Sequence, residues 1–163
     1  NCAGGYTPWG TFLSCEENSD KNYGSVDEKT GKIIPSFAQW EKEYPNPIEH
    51  YQWVVEISPE TGKAQKHTNL GRFAHESATP IISKSKHVVV YSGDDKAGEH
   101  LYKFISKTNS DFKEGVLYVA NTDLGQWLPI DLELSPILKN SFNSHIDLMI
   151  NTRKAAKILS HYL

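Results

Sequence analysis

Five short runs set what this chain can fold into. Phe12 to Cys15, Tyr51 to Ser58, Lys86 to Ser92, His100 to Ser106 and Gly115 to Asn121 are rich in Val, Ile, Tyr and Phe and are bounded by turn residues. β-Branched and aromatic side chains fit a pleated, half-buried surface, so each run predicts a strand. The run SPETGK between Ile57 and Lys63 places Pro and Gly where a chain reverses, because Pro presets φ and Gly accepts φ > 0. DEKTGK, from Asp27 to Lys32, has the same chemistry. Strands recurring every ~10 to 15 residues with loops between them suit antiparallel meanders, packed as a sandwich or as propeller blades. No tight sequence repeat marks individual blades. The expected fold is mainly β, with antiparallel sheets and a C-terminal helix.

That helix is expected over His145 to Leu159, where Ile146, Met149, Ile150, Ala155, Ala156 and Leu159 make an apolar stripe and Asn143 and Ser144 supply caps. The stripe reads as core packing. Lys42 to His50, KEYPNPIEH, has two prolines and predicts a surface loop, the likeliest point of insertion.

At 163 residues the chain is long enough for one domain with a real core, burying about two thirds of its extended surface. A net charge of -3 and 23% charged residues carry none of the clustered Lys and Arg of a nucleic-acid partner. No apolar run approaches the roughly 18 to 20 residues a membrane span requires. The sequence opens inside what looks like a motif and without an initiator Met, so residues 1–163 are expected to be a single segment of a longer domain, incomplete at both ends. GxSxG, Walker A, HExxH and CxxC patterns are all missing, which disfavours serine-elbow and P-loop chemistry.

Three places carry chemistry. NCAGGYTPWGTFLSCEEN, Asn1 to Asn18, holds two cysteines thirteen positions apart beside Glu16 and Glu17. The cysteines suit a disulfide, two unremarkable thiols, or a metal-binding or reactive thiol. Adjacent strand residues face opposite ways, so only one glutamate can serve a given site. The glycines allow a close backbone approach or a sharp turn, which by itself is also the signature of a purely structural turn. In GRFAHESATP, Gly71 to Pro80, His75 and Glu76 are a candidate pair for metal ligation or proton transfer, with only one of the two functional. A lone histidine is more often a satisfied structural residue. In SGDDKAGEHLYKF, Ser92 to Phe104, Asp94 and Asp95 offer hard oxygens for calcium without the spacing of an EF-hand, and a solvated hairpin is the plainer reading.

Taken in order, NCAGGYTPWGTFLSCEEN, QWVVEISPETGKAQKHTNLGRFAHESA, VVVYSGDDKAGEHLYKF, EGVLYVANTDLGQW and MINTRKAA span nearly the whole chain. Together they resemble the PhoX family of bacterial alkaline phosphatases. The resemblance implies a β-propeller-like, monomeric, exported enzyme, periplasmic or extracellular and moved folded by the twin-arginine route. It implies hydrolysis of phosphomonoesters at a cluster of ferric iron (Fe3+) and calcium (Ca2+). It also implies metal ligation by Cys2, Glu17 and Glu76. Those donor types agree with the metals, since thiolate suits iron and carboxylates are hard donors that bridge iron and calcium. The family's aspartate ahead of the cysteine, its arginine and its later acidic ligands fall outside these residues, and the end NTRKAAKILSHYL departs from the family's continuation towards that arginine. The alternative reading is a non-catalytic calcium-binding β-propeller module. A propeller lactonase or esterase using calcium without a thiolate ligand is a weaker third, because it would have no use for Cys2.

Overall fold

The computed structural model describes residues 2–27 and 30–161. In chain order they form β1 (Cys2–Tyr6), β2 (Phe12–Cys15), α1 (Ser19–Tyr23), β3 (Ser25–Val26), β4 (Ile33–Ile34) and α2 (Trp40–Glu43). Then come β5 (Val54–Ile57), β6 (Ala64–His67), β7 (Thr79–Ile82), β8 (Val88–Gly93), β9 (Leu101–Ser106), β10 (Gly115–Asn121) and β11 (Gln126–Ile130). The chain closes with α3 (His145–Ile150) and α4 (Thr152–His161).

Two antiparallel sheets dominate, in the orders β1-β2-β5-β6 and β11-β10-β9-β8-β7, with a small ribbon of β3 and β4 beside them. The second sheet is a plain meander. Its register puts Pro80 opposite Val90, Val90 opposite Phe104, Phe104 opposite Leu117 and Leu117 opposite Ile130, one buried row crossing all five strands. A neighbouring row of Ser92, Tyr102, Val119 and Leu128 lies on the same face. The period of two along each strand therefore builds a continuous apolar face. Leu13, Cys15 and Val54 of the first sheet, Trp53 just ahead of β5, and Leu148, Met149, Ala155, Ala156 and Leu159 of the helices close over it as one core. The expectation of a mainly β fold with antiparallel, blade-like sheets holds; among the described residues the sheets do not close a ring.

The strands read from sequence are present, with the second trimmed to Val54–Ile57. Both glycine turns fall between paired strands. Ser58 N–H donates to the Lys63 carbonyl (2.9 Å) with Gly62 at φ 68, and Asp27 N–H donates to the Lys32 carbonyl (2.9 Å) with Gly31 at φ 68. Residues 28 and 29 of the second turn lie outside the described residues. The 42–50 stretch is irregular as expected, beyond the end of α2 and one 3-10 turn at Ile48–His50.

The single helix expected over His145 to Leu159 is two helices. Ser144 caps the first, accepting from Asp147 N–H at 3.2 Å, while Asp147 Oδ2 accepts from Asn143 N–H at 3.0 Å, a reciprocal arrangement that holds the first turn. The break at Asn151 exposes the Met149 carbonyl, which accepts from Thr152 Oγ1 (2.6 Å) and from Arg72 N–H (3.1 Å). A carbonyl needed by the segment ahead of β7 thus leaves the helical ladder, and the apolar stripe continues across the interruption.

Between β2 and β5 the chain leaves the sheets for α1, the β3–β4 ribbon and α2. The excursion exposes Ile33, Phe37, Trp40 and Tyr44. Ser36 latches it: its hydroxyl bonds Glu41 Oε2 (2.5 Å) and the Asn22 carbonyl (2.7 Å), and its N–H bonds Glu41 Oε1 (3.1 Å).

β1 is where the two sheets meet. A Cβ on Gly5 would sit 2.2 Å from the Ala78 carbonyl oxygen and 2.7 Å from Pro80 Cδ, and one on Gly4 would sit 1.6 Å from the Leu13 carbonyl oxygen. Neither position tolerates a side chain, because backbone atoms occupy the space. Gly5→Ala is expected to lower the unfolding free energy by about 2 to 3 kcal/mol, in the range of overpacked cores. Gly93→Ala, where no atom lies within 4 Å of the added carbon, should stay within about 0.5 kcal/mol. Denaturant titration of both variants measures the difference.

Candidate metal centre

The first hairpin is stiff for identifiable reasons. Thr7 N–H donates to the Thr11 carbonyl (2.9 Å), Gly10 N–H to the Thr7 carbonyl (3.1 Å), and Gly10 takes φ 90. Glu56 of β5 then clamps the turn from the next strand, accepting from Trp9 Nε1 (2.7 Å) and Thr11 Oγ1 (2.5 Å) and lying 2.6 Å from His67 Nε2. Those donors hold the Glu56 carboxyl below its usual range although burial opposes them. Burial depresses His67 in turn.

Across this hairpin Cys2 stands opposite Cys15, with a bulge between Cys2 and Gly5. Both thiols are free. They are not alike: Cys15 is fully buried and its thiol is pushed up to about 12 by desolvation and by Cys2, whereas Cys2 is partly exposed. A thiol in apolar surroundings is inert, and metal ligation requires the thiolate, so Cys2 is the cysteine placed for chemistry.

Glu16 and Glu17 leave the end of β2 in different directions. Glu16 accepts from Trp53 N–H (3.0 Å) and Lys66 Nζ (2.7 Å), which neutralises it. Glu17 meets the Asp95 carboxyl and the Cys2 thiol; the hydrogen bond with Asp95, then burial, raises its proton affinity, with Cys2 opposing. A carboxylate facing another carboxylate takes up a proton more readily, and a cation near both would relieve the repulsion. Asp95 is thus the partner that the sequence offered only as half of an aspartate pair.

Residues 74–76 stitch both sheets together at this point. His75 N–H donates to the Glu16 carbonyl (3.2 Å), Asp95 N–H to the Ala74 carbonyl (2.9 Å), and Glu76 N–H to the Gly93 carbonyl (3.3 Å). Glu76 is thereby held at the same seam by its backbone, with its side chain exposed. His75 faces inward: Nε2 lies 3.0 Å from the Gly71 carbonyl oxygen, Nδ1 lies 2.9 Å from Ser92 Oγ, and Phe73 is 3.7 Å from its ring. Of the two residues, the histidine is a satisfied core group.

Asp94 and Asp95 also divide. The Asp94 side chain is buried and held by a two-pronged pair with Arg153 of α4, at 2.7 and 2.6 Å, a geometry that suits the guanidinium fork. Glu99 nearby bonds Lys157 at 3.1 Å. The chain's two arginines are both engaged, Arg72 donating to the Tyr51 and Ile48 carbonyls, each at 2.9 Å.

In donor chemistry Cys2, Glu17, Asp95 and Glu76 fit a mixed soft and hard metal cluster. Cys2, Glu17 and Asp95 interact, while Glu76 is brought to the seam by main-chain bonds. Among the described residues, no three His, Cys, Asp or Glu side chains approach closely enough to form a complete ion site. Beside Glu17 a cavity of about 220 Å3 opens, walled by Tyr23, Trp40 and Tyr51.

A thiol and several acidic groups are thus carried to the seam of two antiparallel sheets. Residues 1–160 match the family described as alkaline phosphatase PhoX, and the chain belongs to that family. A solved structure of Pseudomonas fluorescens PhoX in complex with vanadate, a transition state analogue, is similar to it at 29% identity and a TM-score of 0.77. The likeness covers 98% of this chain and 35% of that one. None of the curated proteins matches. No helix among the described residues is long and apolar enough to cross a membrane.

The buried histidine makes the protein acid-sensitive. Desolvation lowers His75 from 6.5 to about 4. Between those values the unfolded chain takes up a proton that the native state refuses, so stability falls as pH drops from about 6.5 towards 4, by about 3 kcal/mol in total. Urea unfolding at a series of pH values should show that slope, and His75→Gln should flatten it.

Proposed function

We propose that the longer protein of which these residues are part is a metal-dependent phosphomonoesterase, an alkaline phosphatase, and that this segment supplies one wall of its active site. The observation that supports this reading is that Glu17 interacts with both the Cys2 thiol and the Asp95 carboxyl, in a chain of the PhoX family. Cys2, Glu17, Glu76 and Asp95 would hold ferric iron and calcium. Bound there, the ions supply compensation for the charge on the phosphoryl oxygens.

The chain's own residues do the rest by position. Cys2 would serve as a thiolate donor and Glu17 and Asp95 as carboxylate donors. Glu56 keeps the Cys2 hairpin fixed, and the Arg153–Asp94 pair fixes the backbone from which Asp95 projects, so little reorganisation is needed when charge develops. Both arginines of this segment are engaged in internal contacts, and the arginine that the family resemblance implies would come from elsewhere in the longer protein. The segment alone is then an incomplete catalyst. A monomer exported to the periplasm or cell exterior, acting on small phosphomonoesters, suits a protein that carries several metal ions.

Elemental analysis of the longer protein, together with hydrolysis of p-nitrophenyl phosphate, tests this. Iron with calcium is expected; calcium alone, with no hydrolysis, would favour a non-catalytic calcium-binding module instead. Cys2→Ala should lose iron and cut kcat by more than the roughly 10- to 100-fold that changes in the outer partners of metal ligands cost. Cys15→Ala should retain its iron. Full iron content and full activity in Cys2→Ala would remove Cys2 from the site.

A further inference from the structure

The cavity beside Glu17 has a built character that metal binding does not explain. Its walls are Tyr23, Trp40 and Tyr51, and its floor carries Glu17, Asn18 and Asn22. Tyr23 stacks on Tyr51 with ring centres 3.5 Å apart and planes 14° from parallel, and Trp40 meets Tyr23 edge-on at 5.7 Å and 83°. Such contacts fix ring orientation rather than merely bury area.

The wall is also held from behind. Ser36 joins Glu41 of α2 to the Asn22 carbonyl of α1, Gln39 N–H donates to Ser36 Oγ at 2.7 Å, and Ala38 N–H donates to the Lys21 carbonyl at 3.0 Å. Trp40 is therefore presented on a latched turn while remaining 48% exposed. A large aromatic left half in water on a braced support has surface to offer a ligand. The acidic lining is quiet: Glu16 is neutralised by Lys66 and Trp53 N–H, and Asn18 Nδ2 donates to Glu17 Oε2 at 2.6 Å. Asn18 thus links the cavity floor to the carboxylate at the metal centre.

At about 220 Å3 the space is smaller than the roughly 300–1,000 Å3 of sites that enclose a drug-sized molecule. One ring system fits, with the remainder of a ligand reaching out along Glu17. We propose that this cavity is the subsite for the leaving group, and that it selects phosphomonoesters of ring-bearing alcohols, namely aryl and nucleoside monophosphates, over those of small aliphatic alcohols such as glycerol. The phosphoryl group lies at the Cys2, Glu17 and Asp95 end, and the ring stacks against Trp40. The inference rests on the phosphatase reading above and adds to it the class of alcohol released.

Trp40→Ala in the longer, metal-loaded protein tests it, because a half-exposed side chain can be removed without opening the core. The quantity read is the ratio of kcat/KM for adenosine 5'-monophosphate to that for glycerol 3-phosphate. Loss of one stacking partner should lower that ratio about tenfold; Trp40→Phe should restore most of it. A second readout needs no turnover of a ring-bearing substrate: adenosine should inhibit glycerol 3-phosphate hydrolysis competitively in the wild type, with an inhibition constant about tenfold weaker in Trp40→Ala. If both esters are hydrolysed but neither the ratio nor inhibition by adenosine responds to Trp40, the subsite is overturned while the phosphatase reading stands. If the unaltered protein hydrolyses neither ester, the phosphatase reading fails and takes this one with it.

Discussion

Three main-chain hydrogen bonds organise this protein. Through the His75 N–H to Glu16, the Asp95 N–H to Ala74 and the Glu76 N–H to Gly93, one irregular segment joins the end of β2 to the end of β8. Buried amides must be paired, and leaving one unpaired costs about 1 to 3 kcal/mol, more than the bond contributes when made. The seam is therefore specified sharply. Each acidic group of the candidate centre is attached to it: Glu17 one residue beyond Glu16, Glu76 in the segment itself, Asp95 at its far edge.

Holding those groups together works against stability, since like charges repel. The surrounding structure answers with rigidity rather than with local cations. Lys66 is committed to Glu16 and Arg153 to Asp94, so neither cation is left to neutralise Glu17 and Asp95. His75 carries out the complementary task behind the seam, filling core volume beside Phe73 and Tyr102 and remaining neutral.

The excursion between β2 and β5 has a different character. It contributes little to the main core, exposes several aromatics and is fastened by side-chain bonds around Ser36. Its placement over Glu17 relates it to the site rather than to the sheets, as is common for irregular segments carried by a rigid scaffold.

The sequence by itself determined the strands, the glycine turns and the antiparallel habit, because alternation of β-branched and aromatic residues and the φ preferences of Pro and Gly act over a few neighbouring residues. It also singled out Cys2, Glu17 and Glu76 as chemistry-bearing, through motif resemblance. Strands such as β1, β6, β7 and β11 escaped because their side chains are small, polar or include proline, and their pairing comes from neighbours distant in the chain. The helix break at Asn151 was hidden for a similar reason: the apolar stripe runs through it, and only the demand of Arg72 for the Met149 carbonyl interrupts the ladder. Tertiary structure alone showed where the other member of each adjacent pair is spent, sending Glu16 to Lys66, Asp94 to Arg153 and His75 into the core. The physical reason is that charge partners fifty or more residues apart, and the burial of a single ring, depend on how the sheets pack and leave no periodic trace along the chain.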